Sequence, residues 1–265
     1  KSQFGFIRLH SCEQPLVLAT DFIRRALDDG EHVMGVFLDL RKAFDVVSHH
    51  ILLNKLSHYG IRGLPLEWFT SYLTNRTQSV KIASTTSSER VITHGVPQGS
   101  VLGPQLFLLY MNDLVVHSRT NNMRLFLFAD DTTLLIRHQN IEDLRVLTNT
   151  ELSHMSRWFD TNKLSLNIDK TKFILFTLHN TVRNIPIEIS IKGTLIERTS
   201  HIKFLGITVD ESLTWESHIS CIASKISKSI GIIRKIANKI PQNTRLLLYQ
   251  ALILPYFSYC HIIWS

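Results

Sequence analysis

The 265-residue sequence predicts an α+β fold, an antiparallel sheet backed by helices and followed by a small basic helical unit. Three observations carry this. Short, almost wholly apolar runs alternate with amphipathic stretches of helical period. Two of those runs, in "RLFLFADDTTLLIR" (residues 124–137), read as a hairpin whose tight turn holds Asp130 and Asp131. After Asp210 the strand signals stop and the pattern is helical to the end.

In chain order, residues 13–29 form the first predicted helix. Pro15 lies near its start, Leu16, Ala19, Ile23 and Ala26 share a face, and Gly30 ends it. "HVMGVFLDL" (residues 32–40) has the continuous apolar character of a buried strand. Ser48 is placed to cap a helix that carries Leu52, Leu56 and Tyr59 and stops at Gly60. Pro65 opens another, through about Asn75. "SVKIA" and "ERVIT" alternate as two strands of a polar hairpin. "GVPQGSVLGP" (residues 95–104) is a Gly- and Pro-rich loop that feeds an apolar helix from about Gln105 to Val116. Beyond the Asp-Asp hairpin, Ile141, Leu144, Thr148, Leu152, Met155 and Trp158 mark a long amphipathic helix. Strands are expected at 164–167, 173–178, 187–191, 194–197 and 202–209. In the last segment Ile219, Ile222, Ile226, Ile230, Ile233 and Ile240 make an apolar stripe, with Lys225, Lys228 and Lys235 elsewhere on the cylinder.

A composition that is 44% hydrophobic with 7 Pro and 11 Gly belongs to a folded chain. No run of eighteen apolar residues and no secretory signal appear, so the expected setting is intracellular, nucleus and cytoplasm, without a membrane. The first residue is Lys1, which suggests a piece of a longer protein. A net charge of +7 suits a polyanionic partner. Six Lys/Arg stand against the single acid Glu216 in residues 215–265, so most of the excess sits there. Cys12, Cys221 and Cys260 form neither a disulfide framework nor a zinc pattern, and the 13 His lack metal-ligand spacing.

The carboxylates carry the chemistry. Asp39 closes a buried apolar run, where an unpaired charge would cost several kcal/mol or become neutral. A strand-end Asp beside a hairpin-tip Asp-Asp makes a hard-oxygen site for Mg²⁺, an ion that favours carboxylates plus substrate phosphates. Two such ions, about 3.5–4 Å apart, activate an attacking oxygen and stabilise a leaving one in phosphoryl transfer.

"FLDLRKAFD", "GVPQGSVLGP" and "FADDT", in that order, resemble motifs A, B and C of a reverse transcriptase. "SLNIDKTKFILF" is similar to motif D and "FLGITVD" to motif E, and the resemblance covers nearly the whole chain. The wording of motif B and the opening "QFGF" are similar to the non-LTR retrotransposon branch of jockey and CR1 type. The resemblance implies a right-hand polymerase: residues 1–30 partial fingers, 31–60 palm, 61–94 a fingers–palm connection, 95–210 palm and 211–265 the start of a thumb. It implies an RNA template, a DNA primer and dNTPs as partners, two Mg²⁺ ions with Mn²⁺ as a substitute, and an endonuclease domain upstream.

Carried over by motif, Asp39 and Asp130 would ligate the metals, Asp131 would support them, and the Leu40 carbonyl would complete one shell. Phe44 matches the steric gate against a 2′-hydroxyl, and Gln98 and Gly99 match residues lining the nucleotide's sugar and base. Lys170 matches the lysine proposed to protonate pyrophosphate, with Lys172 an alternative. Phe204, Leu205 and Gly206 match the primer grip, and the helix with Lys225, Lys228 and Lys235 would bind duplex phosphates. The departures are Ile7 and Leu9 where the family has Arg and Gly, Cys12 for Thr, and Gln105 for an apolar residue. A fingers segment normally precedes "QFGF". These departures leave a second expectation open, a nucleic-acid-binding remnant impaired in catalysis.

Overall fold

The computed structural model describes residues 2–117 and 122–265 and is built around a five-stranded sheet. Helix α1 (Glu13–Asp28) leads into β1 (His32–Leu38), the middle strand. Helices α2 (His49–His58) and α3 (Leu64–Leu73) follow, then the short strands β2 (Arg76–Gln78), β3 (Lys81–Ile82), β4 (Thr85–Thr86) and β5 (Arg90–Ile92). Helix α4 (Leu102–Met111) tightens into a 3-10 segment, Asn112–His117. Strands β6 (Met123–Phe128) and β7 (Asp131–His138) precede the long helix α5 (Ile141–Thr161) and β8 (Lys172–Phe176). A short α6 (Asn180–Arg183), β9 (Ser190–Ile191), β10 (Thr194–Leu195) and β11 (Glu197–Arg198) lead to the hairpin β12 (His201–Phe204) and β13 (Ile207–Asp210). The chain then runs through α7 (Glu216–Ile236), α8 (Gln242–Leu252), α9 (Leu254–Ser258) and α10 (His261–Trp264).

The sheet order is β11-β8-β1-β7-β6, antiparallel throughout except where β11 meets β8. Both faces are covered. Met34, Val36, Leu38, Leu134, Ile136 and Leu175 pack with Leu52, Phe107 and Phe159 from α2, α4 and α5. The alternate residues Val33, Leu135, Ile174 and Phe176 pack with Ala19 and Ile23 of α1 and with Phe204, Ile207 and Trp215. This double cover is why β1 reads as an unbroken apolar run where an antiparallel strand usually alternates. Lys55 pins the helical side. Its Nζ donates to the Tyr110 carbonyl (2.6 Å) and to Asp113 (2.6 Å) and lies over the Tyr110 and Trp158 rings. The Tyr110 hydroxyl donates to the Asn162 carbonyl at 2.6 Å, and burial pushes its pKa up to about 12.

Several expectations need correction, among them residues 202–209, expected as one strand and found as the hairpin β12–β13. "SVKIA" and "ERVIT" do not pair: β5 pairs with β2, while β3 closes on β4 as an inner hairpin. All four strands are nearly bare of buried residues, so no apolar face selects a register between them. The apolar helix starts at Leu102, not Gln105, because the Ser100 hydroxyl accepts the Gly103 N–H (2.9 Å) and nucleates the turn early; beyond Met111 it tightens to a 3-10 form. Residues 164–167 are no strand, making one bridge, Leu40 to Leu166, because β1 has already ended at Leu38. The isoleucine stripe stands on α7 except for Ile240, which lies past its end, and it is covered only in part: Ile226 is buried, Ile222 and Ile233 are half-buried, and Ile219 and Ile230 are exposed. Ser48 stands at the start of α2 as expected, yet its side chain makes no capping bond there.

Candidate active site

Strand register assembles the carboxylates. Leu38 pairs with Thr132, so Asp39, one residue on, comes level with Asp131 at the same end of neighbouring strands. The β6–β7 pairing closes at Phe128 and Asp131, leaving Ala129 and Asp130 as a two-residue turn with Ala129 left-handed at φ 57°. The "QFGF" segment braces that turn. Gln3 Oε1 accepts the N–H groups of Phe4 (2.9 Å), Gly5 (2.9 Å) and Ala129 (3.2 Å). The Phe4 N–H donates to the Leu127 carbonyl and the Leu127 N–H to the Ser2 carbonyl. A Cβ on Gly5 would stand 2.4 Å from the Ala129 nitrogen, so only glycine permits the approach.

Asp39 is oriented from the loop after α5. Asn167 donates its side-chain amide to Asp39 Oδ2 (2.9 Å) and its backbone N–H to the Asp39 carbonyl (2.8 Å). The Asp39 N–H donates to Thr171 Oγ1 at 3.3 Å. The bonds that flank the Leu40–Leu166 bridge use Asp39 and Arg41, which turns the Leu40 carbonyl away from that loop. Asp131 has its carboxyl pKa raised, first by loss of water around it and then by the charges of Asp130 and Asp39. Asp130 and Asp39 therefore stand close enough to act on Asp131.

Beside them lies an open cleft of about 540 Å³ lined by Asp39, Asp131, Asp169, Lys170, Lys172, Phe204 and Leu205 among others. It gathers residues from motifs A, C, D and E. Lys172 is paired with Glu197 at 3.0 Å, whereas among the described residues Lys170 has no ion-pair partner. Both lysines line the cleft. Phe204 is buried edge-on against Phe37, and the turn beyond it is left-handed at Leu205 (φ 45°) and Gly206 (φ 86°).

Motifs A and B are laced together on the other side of Asp39. The Val96 N–H donates to the Phe44 carbonyl, the Gly95 N–H to the Val47 carbonyl, and His49 Nε2 meets the Gly95 carbonyl at 2.7 Å. A Cβ on Gly95 would stand 2.8 Å from the Asp45 carbonyl oxygen. Phe44 stacks on Phe107 with centroids 4.3 Å apart. Gln98 is exposed, and its amide donates to Asp45 Oδ1 at 2.7 Å. Gly99 has φ 76° and open space where a side chain would go. A second cavity of about 550 Å³ includes Lys42, Asp45, Arg76, His94 and Gln98. Lys225, Lys228 and Lys235 stand apart on α7, exposed, with Lys225 Nζ 5.8 Å from the Tyr256 ring centroid.

Sequence reasoning gave no role to Gln3, Gly5, Asn167 or Asp45. All four stood inside quoted motifs, "QFGF", "SLNIDKTKFILF" and "FLDLRKAFD", so the motif wording was the signal and their partners were not.

Residues 1–209 match the family described as "Reverse transcriptase (RNA-dependent DNA polymerase)". The chain is 30% identical to the RNA-directed DNA polymerase from mobile element jockey of Drosophila melanogaster, over 98% of this chain and 29% of that protein. It is also 30% identical to the probable RNA-directed DNA polymerase from transposon X-element of the same species, over 99% of this chain and 29% of that one. The chain thus spans under a third of the length of these two relatives. Among solved structures it is similar to apo telomerase from Candida tropicalis, truncated from its C-terminal domain, with TM-score 0.56 and 13% identity, covering 79% of this chain and 39% of that one. Telomerase from Candida albicans, solved with a TWJ fragment of telomeric RNA, gives TM-score 0.52 and 15% identity over 76% and 34%. At such identities these two show a shared fold.

Proposed function

The chain belongs to the reverse transcriptase family, and on that premise we propose that it carries the nucleotidyl-transfer centre of an RNA-directed DNA polymerase of a non-LTR retrotransposon. The observation that carries this is the register that sets Asp39 level with Asp131, beside Asp130, over a cleft that also holds Lys170, Phe204 and Leu205.

Two Mg²⁺ ions, or Mn²⁺ in their place, held by Asp39 and Asp130 with Asp131 and the Leu40 carbonyl in support, would supply charge neutralisation at the phosphates and activation of the primer hydroxyl. The donor chemistry fits, since mutually repelling carboxylate oxygens are hard ligands. Among the described residues no three His, Cys, Asp or Glu side chains stand close enough to hold an ion unaided.

In the proposed reaction the primer 3′-hydroxyl gives up its proton to water as its oxygen bonds to the nucleotide's α-phosphorus and the bond from that phosphorus to the bridging oxygen breaks, releasing pyrophosphate. Phe204 and Leu205 wall the primer end. Lys170, which among the described residues has no ion-pair partner while Lys172 pairs with Glu197, donates a proton to the pyrophosphate oxygen. Phe44, fixed against Phe107, fills the space a 2′-hydroxyl would need. Gln98 and Gly99 line the sugar and base, Gln98 leaving Asp45 to do so. The basic face of α7 follows duplex phosphates without reading sequence. The RNA template, DNA primer and dNTPs are the partners this reading requires.

Extension of a DNA primer on an RNA template, with and without Mg²⁺, tests it. Asp39→Asn and Asp130→Asn are expected to fall below about a tenth of the wild-type rate while melting as the wild type does, with Asp131→Asn milder. A wild-type-like Asp130→Asn would overturn the assignment. The Gln98–Asp45 bond favours a second reading, a nucleic-acid-binding remnant whose nucleotide contact is occupied. Tight primer–template binding with no extension at any divalent ion concentration would select that one.

A further inference from the structure

The wall of the carboxylate cleft is a turn in a conformation that leucine disfavours. Leu205 (φ 45°) and Gly206 (φ 86°) are consecutive left-handed residues between β12 and β13, and such backbone persists only where its surroundings hold it. The Phe204 and Leu205 side of this turn faces the cleft that contains Asp39, Asp131 and Lys170. The holding comes from the far side. The Tyr259 hydroxyl donates to the Leu205 carbonyl at 2.7 Å. Its ring lies against Gly206 so closely that a Cβ there would meet Tyr259 Cε1 at 3.1 Å. Tyr259 is itself fixed, because Trp264 Nε1 donates to its carbonyl at 3.1 Å. The Trp264 ring stands edge-on to His218, whose Nδ1 accepts the Thr208 N–H of β13 at 3.3 Å. The C-terminal segment therefore grips the hairpin at its turn and along its second strand, and Tyr259 is absent from the cleft lining.

We propose that Tyr259 is a positioning residue for the nucleic-acid strand end seated in the carboxylate cleft, acting through the Leu205–Gly206 turn that its hydroxyl and ring hold in place. The inference rests on reading that cleft as the nucleotidyl-transfer centre. Strand ends reach productive geometry only when the wall they lean on is fixed, and small misplacements there slow the reaction steeply. Nothing in this role requires Tyr259 to touch nucleic acid or nucleotide.

The test is Tyr259→Phe, which keeps the ring and removes one hydroxyl. It is read on a DNA primer annealed to an RNA template, carrying 2-aminopurine either at the primer's 3′-terminal base or at an internal base pair. The variant is expected to melt with the wild type and to bind primer–template with unchanged affinity. Single-nucleotide addition is expected to slow about three- to tenfold, the scale of one neutral hydrogen bond, at unchanged nucleotide KM. Emission from the terminal probe rises as the end loosens, while the internal probe stays as in the wild type. The terminal probe decides: wild-type emission there overturns the proposal, and so does an equal change at both positions, which marks general loss of duplex binding. A wild-type protein that binds no primer–template instead overturns the functional reading, and the proposal with it. A working wild type with an indifferent Tyr259→Phe removes the proposal alone.

Discussion

Asp131 carries a stability penalty for its place in the cluster. Asp131 is solvent-exposed as a residue, yet its carboxyl pKa is raised, first by partial desolvation at the hairpin tip and then by the charges of Asp130 and Asp39. A group whose folded pKa is raised favours the fold fully below its unfolded value and loses that contribution as pH rises through the folded one. At neutral pH, without divalent ions, the ionised Asp131 therefore works against folding. Asp131→Asn is expected to melt above the wild type at pH 7 in chelator, with the gap closing as pH falls from the raised folded value toward the ordinary aspartate range. Melting curves against pH check this, and a variant that melts below the wild type at pH 7 would refute it. Gln3 works in the opposite direction. One carbonyl oxygen satisfies three backbone N–H groups, among them that of left-handed Ala129 beside Asp130. Gln3→Ala is expected to cost about 1–3 kcal/mol for the orphaned donors and to slow primer extension together with stability. Gln3→Glu, which retains the acceptor oxygen, is expected to recover most of the loss. The aspartates were legible in sequence because charge inside apolar runs demands a reason. Gln3 was not, because a glutamine near a chain start looks solvated until its fold partner is known.

Among the elements, α7 shows how a helix start is built by a residue outside it. Asp210, the last residue of β13, accepts the N–H groups of Ser212 (3.0 Å), Thr214 (3.0 Å) and Trp215 (2.8 Å). Leu213 and Trp215 are both left-handed in that turn, and the buried Trp215 anchors it. Burial alone would raise the Asp210 pKa, but the backbone donors outweigh it and the net shift is downward. A depressed carboxylate stabilises the fold above its unfolded pKa and loses that contribution as pH falls through the folded value. Asp210→Ala is thus expected to lose about 1.5–3 kcal/mol at neutral pH, by denaturant titration, with the difference from wild type shrinking in acid below the ordinary aspartate range. An acid-independent loss would point to packing instead. Long elements were legible: α1, β1, α5 and the β6–β7 hairpin fall within a few residues of expectation, because the helices bury a periodic face and the strands a continuous apolar run. The β2–β5 region was not, since exposed three-residue strands leave pairing to backbone closure. Nor was the 164–167 loop, whose alternation serves to hang Asn167 on Asp39.

At the scale of the molecule, sequence placed the excess charge well and the packing of the C-terminal helices badly. The isoleucine period of α7 forms the expected stripe, yet on that helix only Ile226 of it is buried, Ile219 and Ile230 are exposed, and α8 buries no residue. A period shows that a face exists without showing what covers it. The lysines need no partner to be read, because charge acts through solvent over about a Debye length. They lie on the helix that springs from the β13 end of the cleft-wall hairpin, so a duplex whose end meets Leu205 has α7 as a neighbour. Replacing Lys225, Lys228 and Lys235 together by Gln is expected to weaken primer–template binding alike at every sequence. The log–log salt dependence should flatten by about 0.9 for each duplex phosphate that these lysines no longer neutralise, or about 0.7 on single strands. Lys225 contributes more than charge, since its Nζ lies 5.8 Å from the Tyr256 ring centroid, and cation–π pairs at such exposed sites add about 0.5–1 kcal/mol. The double variant at Lys228 and Lys235 separates the two effects: it should keep wild-type melting while still flattening the slope by the share of two phosphates. Binding titrations over a salt series decide the matter. A slope that stays at the wild-type value in both variants would make this face solvated surface, and the duplex path would have to lie elsewhere on the molecule.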